Sequence, residues 1–203
     1  MNDDLGQLDW NKSDGLIPVI IQDVQTLQVL MLGYMNEAAL KQSLETQKVT
    51  FYSRSKQRLW VKGETSGHFL NIIHIAHDCD QDTLLIQVEP VGACCHLNNV
   101  SCFGSEEANG VGILGKLTRI ISDRQINDSE RSYTSQLFNA GVKRIAQKVG
   151  EEGVEVALAG VSGVKEDITN ESADLLFHLL VLLQQCDVKL ASVMAELQRR
   201  SNG

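Results

Sequence analysis

Proline is almost missing from this chain. Pro18 and Pro90 are the only two, so nothing after residue 90 would break a helix by removing a backbone donor. Aromatic residues make up 5% of the 203 positions, and most of them precede residue 104. Positive charge is in deficit: 18 Lys and Arg face 26 Asp and Glu, a formal net charge of −8. That balance repels phosphate backbones and argues against a nucleic-acid partner. Long apolar runs are also lacking. The longest, 175–183, is interrupted by His178 and is too short to cross a bilayer, so no membrane is expected. The opening Met1-Asn2-Asp3-Asp4 is acidic and does not show the basic-then-apolar order of a secretory leader. Hydrophobic residues at 43% and charged residues at 22% suit a globular protein of one domain or two small ones, and the expected compartment is the cytoplasm.

The five cysteines point the same way. The count is odd, and Cys79, Cys94, Cys95 and Cys102 crowd into one short segment. A secreted disulfide framework would more often show an even, spread-out set, so clustered thiols suggest metal binding or reactivity. Cys186 stands apart in a Leu-rich stretch and reads as a small buried hydrophobe.

The two halves follow different patterns. Before residue 104, short β-type runs at 16–21, 29–32, 49–53, 59–62, 70–75 and 83–88 alternate with turn material such as Ser13-Asp14-Gly15 and Ser66-Gly67. One helix fits at 36–45, with Asn36 as its cap. After residue 104 the apolar spacing becomes three to four, predicting helices at 111–124, 132–140, 142–160, 166–186 and 189–200. Asp167 or Thr169 is expected to cap the fourth of these and Asp187 to start the last. Residues 104–110 read as a polar linker, and 123–132 as a second soft stretch. The expected fold is therefore two domains, a β-rich α+β domain over 1–110 and an all-α domain over 111–203.

The helical half carries carboxylates at telling intervals. Glu151, Glu152 and Glu155 fall at i, i+1 and i+4, and Glu171 and Asp174 at i and i+3 on the next helix. Antiparallel packing would bring up to five carboxylates together. Such a cluster needs a cation, and hard oxygen ligands favour Mg²⁺ or Mn²⁺, the usual partners of phosphate substrates. Lys143, Arg144 and Lys148, just before the acidic cluster, suit phosphate oxygens. A solvated acidic helix face is the competing reading at this level.

The text Glu-Glu-x-x-Glu, fifteen residues, then Glu-x-x-Asp resembles the MazG-type helical nucleotide pyrophosphohydrolases. The longer runs Lys143-Arg-Ile-Ala-Gln-Lys-Val-Gly-Glu-Glu-Gly-Val-Glu155 and Asn170-Glu-Ser-Ala-Asp-Leu-Leu-Phe-His178 resemble the phosphoribosyl-ATP pyrophosphohydrolases of histidine biosynthesis. The resemblance implies that Glu151, Glu152, Glu155, Glu171 and Asp174 bind Mg²⁺ and that water splits the α–β phosphate link. It also places Tyr133-Thr134, Lys143, Arg144 and Lys148 toward the substrate.

The β-rich half holds a second constellation, Asp78-Cys79-Asp80-Gln81-Asp82, then Cys94-Cys95-His96 and Ser101-Cys102. In an extended segment Asp78, Asp80 and Asp82 would face one side, a hard-ligand site for Mg²⁺, and Cys79 the other. Cys79, Cys95 and Cys102 would give three sulfurs to Zn²⁺, leaving the open position of a catalytic site. Geometry could require ligands from two chains. Cys94 competes with Cys95 for that role, and His96 is open as a fourth ligand, a base or a supporting group. His68, His74 and His77 have no assignable partner and read as structural or surface residues.

Asp14-Gly-Leu-Ile-Pro-Val19, Val29-Leu-Met-Leu-Gly-Tyr-Met-Asn36, Ser53-Arg-Ser55 and Leu59-Trp-Val-Lys-Gly-Glu-Thr-Ser-Gly67 resemble the phosphoribosyl-AMP cyclohydrolases, and the Asp/Cys pattern completes the likeness. It implies Zn²⁺ on Cys79, Cys95 and Cys102, Mg²⁺ on Asp78, Asp80 and Asp82, and a homodimer sharing its zinc between subunits. Zinc hydroxide would attack adenine C6, made electrophilic by the substituent on N1, and open the ring. His96 is the proposed proton carrier, Ser53, Arg54, Ser55 and Lys62 are phosphate contacts, and Trp60 packs in support. Together the two resemblances imply an enzyme for two consecutive steps, with phosphoribosyl-ATP and phosphoribosyl-AMP as substrates and with the domains in reverse reaction order. The competing readings are a general nucleotide pyrophosphohydrolase with a zinc-stabilised accessory domain, and a non-catalytic zinc scaffold.

Overall fold

The computed structural model describes residues 5–104, 108, 110–127 and 132–201. It divides into two compact units, Met1–Ile113 and Leu114–Gly203.

The first unit is α+β. Its strands are β1 (Ile17–Asp23), β2 (Val29–Met35), β3 (Thr50–Ser53), β4 (Arg58–Val61), β5 (Leu70–His77) and β6 (Leu84–Pro90), with helix α1 (Glu37–Thr46) between β2 and β3. Four strands form one sheet in the order β2-β1-β6-β5, and β3 and β4 form a hairpin. β1 runs antiparallel to β2 and parallel to β6. Alternation in β1 is strict: Ile17, Val19, Ile21 and Asp23 are buried and the residues between them are partly exposed. Pro18, near the start of this central strand, is in register with Tyr34 of β2, while the pairing with β6 begins only at Val19. Pro90 closes β6.

The hairpin is held from both sides. The Ser43 hydroxyl on α1 donates to the Ala39 carbonyl at 2.8 Å and accepts the Thr50 N–H at 2.9 Å. Gly33 in β2 lies flat against Phe51, where a Cβ would meet the ring at 2.4 Å. Asn36 caps α1 as expected, its Oδ1 accepting the Ala39 N–H at 2.9 Å.

The second unit is all helix: α2 (Gly112–Ile126), α3 (Tyr133–Ala140), α4 (Val142–Ser162), α5 (Lys165–Gln185) and α6 (Leu190–Ser201). Its core is Ile121, Leu137, Ile145, Leu180 and Val181. Gly141, with φ of 83°, ends α3 and lets α4 begin at once.

Three local expectations fail. α5 begins at Lys165 after Val164, with no side-chain cap, so Asp167 lies in its first turn beside Glu166 and acts through the helix dipole. Thr169 is inside the helix, its hydroxyl donating to the Lys165 carbonyl at 2.8 Å. Asp187 does not start α6; at φ of 54° it turns the chain after α5. Cys186, read as buried, is exposed, because it is the C-cap of α5 rather than part of its packed face. Of the two soft stretches, residues 105–107, 109 and 128–131 lie outside the described residues, and Asp123 to Ile126 complete α2.

Among the described residues, no single helix is long and apolar enough to cross a membrane.

Candidate metal centres

The aspartates of the first unit converge, although not through an extended strand. β5 ends at His77, and residues 78–82 form a turn with Gln81 at φ of 63°. Asp78 Oδ1 accepts the N–H groups of Asp82 and Thr83, both at 3.1 Å, and so folds the turn around its own carboxylate. One oxygen each from Asp78, Asp80 and Asp82 then lies within 4.8 Å of the others. The three carboxylates come together as expected, but through a turn and not through alternation along a strand.

A residue that the sequence did not single out lies against this group. Asp9 caps a short 3-10 turn at Trp10–Ser13, its carboxylate accepting the N–H groups of Asn11 and Lys12 at 3.2 Å. The Asp9 N–H donates to the Gln81 carbonyl at 2.9 Å, which ties that turn to the aspartate turn. Lys12 thereby reaches both Asp80 and Asp82, at 2.7 Å from the latter. The hydrogen bonds to Asp80 and Asp82 push the Lys12 ammonium pKa up, and Lys12 holds Asp80 below the usual carboxylate range.

The thiols split into two places. Cys94, Cys95 and Cys102 are neighbours, whereas Cys79 is exposed on the aspartate turn. Within one chain the sulfurs of Cys79, Cys95 and Cys102 do not all lie within 4.8 Å of one another. Cys94 is 2% exposed, and burial pushes its thiol up to about 12, so it stays protonated near neutrality. Burial, and then the charge of Cys95, also raises Cys102. The Ser101 hydroxyl donates to the Val29 carbonyl at 2.8 Å, and the Cys102 N–H to the Leu30 carbonyl at 2.7 Å. These bonds fix Cys102 to the edge of β2. His96 is exposed, with Nδ1 3.8 Å from Cys95 Sγ.

The other sequence candidates of this unit surround the thiols unevenly. Lys62 is 9% exposed, and its charge favours the thiolate forms of Cys94 and Cys102. Trp60 packs on Phe51 with ring centroids 5.8 Å apart, and Lys62 Nζ lies 5.7 Å from the Trp60 ring. Arg54 is exposed and stacks over Tyr34 at 3.8 Å. Ser53 and Ser55 stand with hydroxyls 3.4 Å apart. His68 Nδ1 donates to the Ala93 carbonyl at 3.2 Å and His77 Nδ1 to the Asp78 carbonyl at 2.7 Å; His74 is half-buried in β5. A cleft of about 660 Å³ at the start of α1, lined by Trp10, Asn36 and Lys41, contains none of the thiols and none of Asp78, Asp80 and Asp82.

In the second unit, oxygens of Glu152, Glu155 and Glu171 lie within 4.8 Å of one another, joining α4 to α5. Glu151 and Asp174 are not in that set. Glu151 is engaged by Gln147 at 2.7 Å, Lys148 at 3.0 Å and Arg144 at 3.5 Å. Lys148 Nζ also lies 2.6 Å from Glu152 Oε1, and its hydrogen bond holds Glu152 below the usual carboxylate range. Glu155 is pushed the other way, first by its hydrogen bond with Glu152 and then by that carboxylate's charge. Two of the expected phosphate contacts, Arg144 and Lys148, thus face carboxylates here, while Lys143 is exposed. Three carboxylates with one shifted up and one down form a hard-oxygen donor set that a divalent cation fits.

Comparison with known proteins bears on both units. The family profile for phosphoribosyl-AMP cyclohydrolase matches residues 31–104, and that for phosphoribosyl-ATP pyrophosphohydrolase matches residues 114–201. The histidine biosynthesis bifunctional protein HisIE of Vibrio cholerae is 54% identical over 196 residues, covering 96% of this chain and 93% of the relative. The proteins of the same description from Shigella flexneri and Yersinia pestis are 53% and 52% identical, over 96% and 97% of this chain and 95% and 96% of theirs. Identity of that order over nearly the whole length, with both profiles in sequence, means that the chain belongs to the bifunctional family of histidine biosynthesis that joins a phosphoribosyl-AMP cyclohydrolase to a phosphoribosyl-ATP pyrophosphohydrolase.

Proposed function

We propose that each unit holds one complete set of catalytic groups, with the boundary between the functional domains at residues 110 and 111. The observation that carries this reading is the presence of two separate donor sets in one bifunctional chain. One is thiol-and-aspartate, in the first unit; the other is the carboxylate group of Glu152, Glu155 and Glu171.

In the helical domain, Glu152, Glu155 and Glu171 would hold Mg²⁺, with Glu151 and Asp174 completing the set when the cation draws them in. Mg²⁺, when bound, neutralises phosphate oxygens and activates water for attack at phosphorus. Lys148 and Arg144 exchange Glu152 and Glu151 for phosphate oxygens of phosphoribosyl-ATP, and Lys143 faces the same substrate. Pyrophosphate leaves and phosphoribosyl-AMP is released.

In the β-rich domain, Cys95 and Cys102 of one chain and Cys79 of a second would hold Zn²⁺, which makes a homodimer the working unit. That Cys79, Cys95 and Cys102 of one chain do not form a donor set within 4.8 Å supports that division. Zinc, when bound, supplies an ionised water as the nucleophile for adenine C6. Asp78, Asp80 and Asp82 would hold Mg²⁺. His96, beside Cys95, carries the proton that the opened ring needs. Arg54, Ser53 and Ser55 bind phosphate, and buried Lys62 balances the charge of the thiolates with Trp60 packed beneath it. The enzyme works in the cytoplasm.

The test is product mass spectrometry on metal-replete protein given phosphoribosyl-ATP. The wild type should yield pyrophosphate and a ring-opened product one water heavier. Cys102→Ser should stop at phosphoribosyl-AMP, and Glu152→Gln should consume no substrate. Ring opening by Cys102→Ser, or undiminished pyrophosphate release by Glu152→Gln, refutes the corresponding site.

A further inference from the structure

His178 is a histidine with no role in either mechanism, yet it is 4% exposed and sits beside the carboxylate group. Its Nδ1 lies 2.9 Å from the Asp174 carbonyl oxygen. A carbonyl only accepts, so Nδ1 carries the proton, and in the neutral ring Nε2 is a bare acceptor. The Tyr133 hydroxyl, 3.0 Å from Nε2, therefore donates to it. The same Nδ1 lies 3.7 Å from Glu152 Oε1, so the polar edge of the ring borders that carboxylate. The ring cannot turn over to another orientation easily: Tyr133 and Phe177 meet it edge-on, with centroids 5.9 Å and 5.1 Å away, and stack on each other at 6.2 Å.

One imidazole thus joins three elements. Through Tyr133 it is tied to the first turn of α3, through its Nδ1–H to the backbone of α5 at Asp174, and the same ring edge borders a carboxylate of α4. Glu152 is 4% exposed and has Lys148 on the same oxygen, so His178 is a second positive-edged group on an otherwise repelling trio.

We propose that Tyr133 and His178 form a positioning relay that orients Glu152 for the divalent cation, an inference that rests on the carboxylate reading given above. Both are positioning residues, which act by fixing where a ligand oxygen stands. Groups in this position around a metal commonly cost ten- to a hundredfold in affinity when removed.

The experiment is calorimetric titration of Mn²⁺ alone into the full-length, zinc-loaded protein, paired with the Mg²⁺ dependence of pyrophosphate release. Glu152→Gln defines which Mn²⁺ binding belongs to the helical unit. His178→Leu should weaken that binding about tenfold or more. His178→Asn, whose amide N–H takes the place of Nδ1–H, should restore most of it. Tyr133→Phe should weaken it a few-fold alone and add nothing in the His178→Asn background, where its acceptor is gone. The half-saturating Mg²⁺ concentration should rise in the same order.

Wild-type Mn²⁺ binding in both His178→Leu and Tyr133→Phe, with Glu152→Gln impaired, overturns the relay. So does an undiminished Tyr133→Phe effect in the His178→Asn background. Unchanged binding in Glu152→Gln removes the carboxylate reading itself, and the relay with it. If His178→Leu does not fold, Tyr133→Phe, which keeps its ring and loses one hydroxyl, decides the matter.

Discussion

The ammonium of Lys12 lies 2.7 Å from a carboxylate oxygen of Asp82, inside the aspartate group that is proposed to take Mg²⁺. The same turn that carries Lys12 is bonded to the backbone of Gln81, so the lysine is delivered there by the fold. A cation entering the group must displace it. Lys12→Met should therefore bind Mn²⁺ at this site about two- to fivefold more tightly, the modest gain expected of a solvent-exposed ion pair. Weaker binding in the variant would mean that Lys12 helps hold the occupied site.

The choice between Cys94 and Cys95 can be settled by zinc content. Buried Cys94, with its thiol held at about 12, should behave as packing, so Cys94→Ala keeps its zinc and loses some thermal stability. Cys95→Ala should lose zinc and ring opening together. Metal analysis giving the reverse pattern transfers the ligand role to Cys94.

Cation binding in the helical unit should depend on pH in one direction. Glu155 is raised, so at about pH 5 it holds a proton more often than an ordinary glutamate, and a divalent cation must expel it. Affinity then rises with pH through and above the usual glutamate range and levels off once Glu155 is ionised. Glu151 and Glu152 are lowered, chiefly by Lys148, and are already charged there, so they add no slope. Calorimetry in buffers of different protonation enthalpy should show proton release on the acidic side and little at neutrality. An affinity flat across that range would count against Glu155 as a ligand.

The contact between Gly33 and Phe51 makes a stability prediction. Gly33→Ala places a methyl where the ring already lies, at a cost of roughly 1–3 kcal/mol by overpacking. Phe51→Leu in the same chain should recover part of the loss, measured by urea midpoints. Additive destabilisation would show that the strain falls elsewhere.

Much of this was legible in the residues. Alternating Ile17, Val19 and Ile21 gave β1, Asn36 gave the start of α1, and three-to-four spacing gave all five C-terminal helices, because each is a local pattern imprinted by one buried face. The carboxylates of Glu152, Glu155 and Glu171 were found by helical periodicity and motif likeness. Two pairings of side chains are made by tertiary contact alone. Lys12 lies far along the chain from Asp80 and Asp82, Tyr133 lies far from His178, and no spacing rule connects either pair. Asp78, Asp80 and Asp82 were grouped through an assumed strand, since a turn that wraps its own carboxylate leaves no signature beyond Asp itself. The cap of α5 was misplaced because Val164 offers no side-chain acceptor to read.

The central strand β1 has its parallel partner, β6, at the far end of the same unit, with Val19 opposite Leu84. As the chain leaves the ribosome, β1 and β2 can pair early, but one edge of β1 must wait until nearly the whole unit has been synthesised. An unpaired edge of Ile17, Val19 and Ile21 is an aggregation template during that interval. Translation speed and chaperone supply should therefore govern the soluble yield of the first unit more than that of the second, whose most extensive packing is between the consecutive helices α4 and α5.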